Sequence, residues 1–202
     1  MPTKPNRYFI INKPYHMVSQ FVSTHDVQLL GSLEFKFPEG IHAVGRLDNH
    51  SEGLLLLTTN KKVTRLLFLS ETPHTRTYLV QVNNIVSSEN LKKLQTGVTI
   101  KIKTGVNYTT APCDVRITTR PEDLYDLGDR LTAFPPNTWL LITITEGKYH
   151  QVRKMIAAIR HKCKRLIRIS IEDLELDGLK AGEVRELEEA DFFSKLKIRD
   201  WR

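Results

Sequence analysis

The chain has 202 residues, 40% of them hydrophobic and 26% charged, with a formal net charge of +7, which is the make-up of an ordinary globular protein of one large domain or two small lobes. Apolar runs such as Leu54–Leu57 and Trp139–Ile142 are far too short to span a bilayer, and the polar start Met1-Pro-Thr-Lys-Pro-Asn-Arg7 carries no secretory h-region. Cys113 and Cys163 stand fifty residues apart without a CxxC partner, which argues against a disulfide framework or zinc site and for a reducing cytoplasm.

Residues 1–7 read as a short tail. Tyr8–Asn12 reads as a first strand, stopped by Lys13-Pro14, and a loosely patterned stretch runs on to Gly40. Ile41–Val44 is a short apolar run before the loop Gly45-Arg-Leu-Asp48. Gly53–Thr58 is a fully apolar strand, and Asn60 is placed to cap a helix whose apolar positions Val63, Leu66, Leu67 and Ser70 follow helical spacing. In the strand Thr77–Val82, Tyr78, Val80 and Val82 share one face, and Leu79 and Gln81 the other. Ser87-Ser-Glu opens a helix that ends at Gly97.

Val98–Thr104 and Asn107–Thr119 read as a hairpin around Thr104-Gly105, and Asp123–Asn137 as a loop. Thr138–Thr145 is a strong strand that leads into a helix from about Tyr149. Leu166–Ser170 is another strand, and the tail from Glu188 reads as helical. Strands with antiparallel-looking connections, and helices scattered among them, indicate an α+β fold.

The positive charge is concentrated. Between Glu146 and Arg168 stand eight basic residues and one acid, a balance equal to the net charge of the whole chain. A basic stripe of this kind is the electrostatic footprint of a polyanion site, although a solvated helix face has the same composition. Within it Val152, Met155, Ile156 and Ile159 form a buried stripe, and His150, Arg153, Ala157, Arg160 and Lys164 share an adjacent face at helical spacing.

The loop Gly45-Arg-Leu-Asp-Asn-His-Ser-Glu-Gly53 feeds into the apolar strand and offers one carboxylate, Asp48, as nucleophile or base. A surface turn with an aspartate is the commoner explanation of such a loop taken alone. Tyr78 is suited either to packing in a sheet or to stacking on a nucleobase.

Taken together, GRLD-x-x-SEGLLLLT (45–58), RTYLVQV (76–82) and EGKYHQVRKM (146–155) resemble, in order and spacing, the pseudouridine synthases of the RsuA/RluB/RluE/RluF family. Asn12-Lys-Pro14, Ser19-Gln-Phe21 and Leu166-Ile-Arg168 … Leu179–Leu187 are similar to its opening and closing motifs, so the likeness covers about 8–190 as a catalytic domain, with 191–202 as a helical tail. The resemblance implies a mostly antiparallel mixed sheet flanked by helices and loops, in two lobes about a central cleft. It also implies Asp48 as the catalytic carboxylate, Arg153 as the cation paired with it, and Tyr78 as the ring against the flipped uracil.

Val152 would line the base pocket, Arg46 would touch the RNA backbone, and His150, Lys154, Arg160 and Lys164 would bind RNA. No cofactor or metal is required, since the reaction involves no redox change or net hydrolysis. The spacing leaves no room for an RNA-binding domain of the S4 type before the first motif, which makes the chain most similar to the RluE branch, acting on large-subunit ribosomal RNA as a cytoplasmic monomer. Small-subunit or transfer RNA as substrate, a non-catalytic RNA binder, and a hydrolase using Asp48 with His50 or His150 are the alternatives. The chain departs from the family pattern at Arg160-His161 and at Ile169-Ser-Ile-Glu172, where a glycine is expected in each case.

Overall fold

A computed structural model of the chain describes residues 5–69, 72–102, 105–124, 127 and 136–201. The fold is α+β, and the chain divides into two units, Met1–His74 with Arg168–Arg202, and Thr75–Ile167.

In the first unit β1 (Tyr8–Lys13) lies between β3 (Glu52–Thr58) and β11 (Val184–Leu187), antiparallel to both. The other edge of β3 takes β2 (His42–Val44) along Leu56–Thr58. The same edge meets the second half of β9 (Cys163–Ile171) near Leu54, whose carbonyl accepts a 2.8 Å hydrogen bond from Nε of Arg168. This approach explains a glycine at the head of the leucine run: a Cβ on Gly53, at φ 99°, would sit 2.2 Å from the carbonyl oxygen of Arg168. A two-residue strand, β10 (Leu174–Glu175), closes back on β9.

The unbroken apolar character of β1 and β3 follows from burial on both faces. Tyr8, Ile10, Leu54 and Leu56 pack with α1 (Val63–Phe68) and α4 (Glu189–Lys195). Phe9, Ile11, Leu55 and Leu57 pack with Met17, Leu30 and a fringe of phenylalanines. Asn60 does not cap α1, whose N-cap is Lys62 without a side-chain cap bond; it shapes the turn just before the helix, with Oδ1 accepting from the Lys62 amide at 3.0 Å while its Nδ2 donates to the Tyr8 hydroxyl. The chain from residue 191 onward does not hang free of the sheet, because Phe192, Phe193 and Leu196 are fully buried against β1.

In the second unit β4 (Arg76–Asn83) pairs antiparallel with β8 (Asn137–Ile144), and β8 with β7 (Asp114–Thr118); the first half of β9 flanks the other side of β4. Helix α2 (Ser88–Thr96) starts where Ser87 Oγ accepts the Asn90 amide and stops at Gly97, whose φ is 103°. The hairpin of β5 (Thr99–Lys101) and β6 (Asn107–Thr109) forms a separate two-stranded sheet; Thr104 lies outside the described residues.

The expected single strand Asn107–Thr119 is in fact two. Thr110 turns back on Val98 through both its amide and its hydroxyl, and Pro112 has no N–H with which to extend a ladder, so β7 joins the other sheet. Most of the expected loop Asp123–Asn137 falls outside the described residues. Helix α3 (Gln151–Ala158) buries Val152, Met155 and Ile156, with Ile159 just beyond it, in one cluster with Tyr78, Val80, Leu140 and Ile142.

Candidate active site

In the first unit the loop 45–51 is fixed through its backbone. Leu47 anchors it by burying its side chain among Phe9, Leu55 and Leu57. The buried Ser19 clamps that residue twice, since its Oγ donates to the Leu47 carbonyl and accepts the Leu47 amide, each at 3.0 Å. Asp48 follows directly, half-buried, with its carbonyl accepting the Ser51 amide at 2.9 Å. Its carboxylate is therefore presented by a segment whose preceding residue has no freedom to turn. Arg46, between the buried Val44 and Leu47, is exposed.

Below this loop Lys13 is fully buried at the end of β1, its Nζ donating to the carbonyls of Pro14 (2.9 Å) and Met17 (2.6 Å). Burial pushes the ammonium down to about 8, and the negative charges of Glu52 and Asp48 oppose that shift. Tyr15, His16 and His50 gather beside the loop, the two imidazoles 5.0 Å apart.

In the second unit the segment 146–153 is built around Glu146. One carboxylate oxygen accepts from the Ala111 amide (3.0 Å) and from Gln151 Nε2 (2.6 Å), and the other from the Tyr108 hydroxyl. That carboxylate raises the Tyr108 phenol above its ordinary value. Gln151 in turn accepts the Lys148 amide at 2.8 Å, so the turn before α3 is closed by side chains at both ends. At its apex His150 takes a left-handed backbone (φ 54°), and its ring stacks on Tyr149, centroids 3.8 Å apart and planes 20° apart.

Arg153 then stands on the first turn of α3, half-buried, with Nη1 3.7 Å from the Cys163 sulfur. The Cys163 thiol, raised by burial to about 11, stays neutral there. Tyr78 lies on β4 opposite Ile142, only 9% exposed, and Val152 is buried in the same apolar cluster. Arg76, two residues before Tyr78, is buried, and its Nη1 lies 2.8 Å from where a Cβ on Gly147 would sit.

Two expectations about the basic stretch need correction. His150, Arg153, Ala157, Arg160 and Lys164 do not form one helical face, because α3 ends at Ala158. Arg160 adopts φ 61°, and its amide and that of His161 return to the carbonyls of Ala157 (2.9 Å) and Ile156 (3.1 Å), a helix-ending Schellman turn; Lys164 lies on β9. Nor is the stretch uniformly solvated. Arg165 and Arg168 are buried, whereas Lys148, Arg160 and Lys162 are exposed and Lys154 and Lys164 half-exposed. Burial of β9 on both faces from Arg165 to Arg168, not the helical period, decides which of its cations reach water.

The two departures from the family pattern have a conformational meaning. Arg160 and Glu172 both occupy left-handed backbone, at φ 61° and 49°, where glycine is the unstrained choice. Sequence reasoning did not single out Ser19, Lys13 or Glu146 as supports of the site. The one signal available was chemical mismatch, a lysine ending an apolar strand.

Comparison with known proteins bears on all of these segments. The family model for RNA pseudouridylate synthase matches residues 7–158. The chain is 36% identical over 172 residues to ribosomal large subunit pseudouridine synthase E of Xanthomonas axonopodis pv. citri, covering 84% of this chain and 88% of that protein. To the protein of the same name from Vibrio parahaemolyticus it is 34% identical over 184 residues, covering 90% and 74% respectively. A crystal structure of a pseudouridylate synthase superimposes with a TM-score of 0.75 at 27% identity, over 96% of this chain and 75% of that one.

Proposed function

The chain belongs to the RNA pseudouridylate synthase family, and we propose that it isomerises one specific uridine of large-subunit ribosomal RNA to pseudouridine, as a cytoplasmic monomer. The observation that carries the reading is that the family match runs through all three motif segments, 45–58, 76–82 and 146–155, with likeness over 84% and 90% of this chain to two relatives named for the large subunit.

The reaction breaks the N1–C1′ glycosidic bond, turns the uracil over and joins C5 to C1′; a proton leaves C5 and one is gained at N1. Asp48 is the carboxylate we assign to it, whether it adds to the sugar or base or removes a proton from C2′ to form a glycal. Either route needs the carboxylate ionised. Lys13, buried at the end of β1, is one cation in electrostatic reach of Asp48. Arg153 is the second cation in the assignment, and the His-Gln-Val-Arg motif supports it; a guanidinium never loses its proton and holds a carboxylate through two parallel donors.

The target base must leave its stack at a cost of a few kcal/mol. Tyr78 is the aromatic partner we assign to it, an interaction worth ~1–3 kcal/mol. Val152 belongs to the same apolar patch as Tyr78, and Arg46, His150, Lys154, Arg160 and Lys164 supply contacts to the RNA backbone. All five of these carry side chains at least partly in water, as phosphate contacts require.

The test is to incubate the protein with ribosomal RNA lacking this modification and to map pseudouridine by carbodiimide-dependent stops in reverse transcription. One new stop in large-subunit RNA that disappears with Asp48→Asn is the expected result. A stop only in small-subunit or transfer RNA would reassign the substrate. No stop with the unaltered protein, or an unchanged stop with Asp48→Asn, would overturn the assignment. For Tyr78, phenylalanine is expected to keep RNA affinity and alanine to lose it; equal losses would count against stacking.

A further inference from the structure

Tyr149, whose ring stacks on His150, has no part in the reaction assigned to the second unit. Tyr149 is 55% exposed, among the few large hydrophobic side chains so placed, although neighbouring residues of the same segment, Gln151 and Val152, are buried. Exposure alone is ordinary for a single apolar side chain; what sets this ring apart is that it is paired. The ring is moreover held in a defined pose, with the His150 imidazole against it at 3.8 Å and 20°.

That pose depends on the left-handed backbone at His150, a conformation that costs a non-glycine residue of order 1 kcal/mol or more. The Glu146–Gln151 network holds the segment on both sides of the pair. A cation lies against it: the Lys154 ammonium is 5.1 Å from the Tyr149 centroid.

We propose that the Tyr149–His150 stack is a preformed platform for a second nucleobase of single-stranded RNA, distinct from the uracil assigned to Tyr78. It rests on the reading of the chain as an RNA-modifying enzyme. Flipping one nucleotide leaves its neighbour with an unstacked face, and an exposed aromatic pair replaces that lost partner. Stacking takes any base, because every base presents a π-face, so the platform contributes affinity without reading sequence. Lys154 is a flexible chain that the base displaces, and its ammonium then lies next to the nucleotide's own phosphate. A rigid two-ring stack suits the task because neither ring has to be ordered when RNA arrives.

The test uses the full chain and a short single-stranded RNA of mixed sequence containing 2-aminopurine, whose fluorescence is quenched by stacking. Quenching on binding is expected for the unaltered protein and for Tyr149→Phe. With Tyr149→Ala and Tyr149→Leu, quenching should fall sharply and affinity should drop about ten- to a hundred-fold, within the range of one lost base stack. The leucine variant keeps apolar bulk without an aromatic face. Quenching and affinity unchanged in both variants, or no quenching by the unaltered protein, would overturn the platform. The same preparations are assayed for pseudouridine formation on ribosomal RNA. Failure there by the unaltered protein would strike the enzymatic assignment and leave the fluorescence result to judge the platform by itself.

Discussion

The Asp48 loop and the 146–153 segment are rigid for different reasons. The first hangs between buried apolar strands, and its key residue is fixed by a hydrophobic anchor at Leu47 and by one serine that satisfies both backbone groups of that residue. The second is a half-solvated turn held by a carboxylate that gathers three donors. Removing one support in the dry loop leaves unsatisfied backbone groups where water does not reach. In the wet turn water can replace what is lost. Equivalent substitutions should therefore be costly in the first region and mild in the second.

The largest effect is expected at Ser19. Ser19→Ala strips the partner from a buried N–H and a buried C=O, each costing ~1–3 kcal/mol when unmet. Chemical denaturation should register a loss of about 2–4 kcal/mol, and kcat should fall about a hundred-fold with little change in KM, because Asp48 loses its pose and not its RNA contacts. Ser19→Thr keeps the hydroxyl and should recover much of kcat. A loss of stability with kcat intact would break the link between the clamp and the carboxylate.

Lys13 gives the next effect, one that depends on pH. Its ammonium is lowered from 10.5 to about 8 in the folded protein. Between those values the unfolded chain binds the proton that the native state has released, so stability rises with pH across that window, and the full penalty of the buried charge applies below it. Raising pH from 7.5 to 10.5 should shift the stability difference between the unaltered protein and Lys13→Met in favour of the unaltered protein by about 2–3 kcal/mol, following 1.36 kcal/mol per pK unit. The neutral amine still has two hydrogens for Pro14 and Met17, so its hydrogen bonds survive deprotonation. A pH-independent gap between the two proteins would mean that the lysine is not desolvated.

Glu146 tests the wet region. Glu146→Gln keeps an acceptor for Gln151 or for the Ala111 amide and should cost less than about 1 kcal/mol. Glu146→Ala should cost ~1–2 kcal/mol and reduce kcat about ten-fold. An alanine effect as large as that of Ser19→Ala would erase the distinction between the two regions.

The same distinction governs what the sequence reveals. The Asp48 loop, β3 and β4 were legible because apolar runs and turn residues carry their own signal: Gly53–Thr58, the α2 caps Ser87 and Gly97, and the core stripe Val152, Met155, Ile156 and Ile159 all hold in the structure. The assigned roles of Asp48, Tyr78 and Arg153 came from motif resemblance, since one aspartate in a polar turn has no distinguishing pattern. The clamp by Ser19 and the hub at Glu146 were hidden because they join residues 28 and 35 positions away, and nothing local marks a long-range acceptor. The basic stretch misled through an assumed period: the helical spacing was carried about one turn, to Lys164, past the point where Arg160 reverses the backbone.

That reversal gives the smallest and most discriminating change. Arg160 holds the position after the helix end in left-handed backbone, where the absence of Cβ in glycine removes strain of about 1 kcal/mol but adds freedom to the unfolded chain. Arg160→Gly should therefore leave stability unchanged or raise it by up to about 1 kcal/mol, a Tm increase of a few degrees at this chain length. The lost guanidinium is exposed, so its contribution to RNA binding should appear separately, as a log–log salt dependence shallower by about one unit with kcat untouched. A gain in Tm together with a reduced salt slope would mean that arginine is kept at a strained position for RNA. A gain in Tm with the slope unchanged would place Arg160 outside the phosphate path and leave Lys154 and Lys164 to carry it.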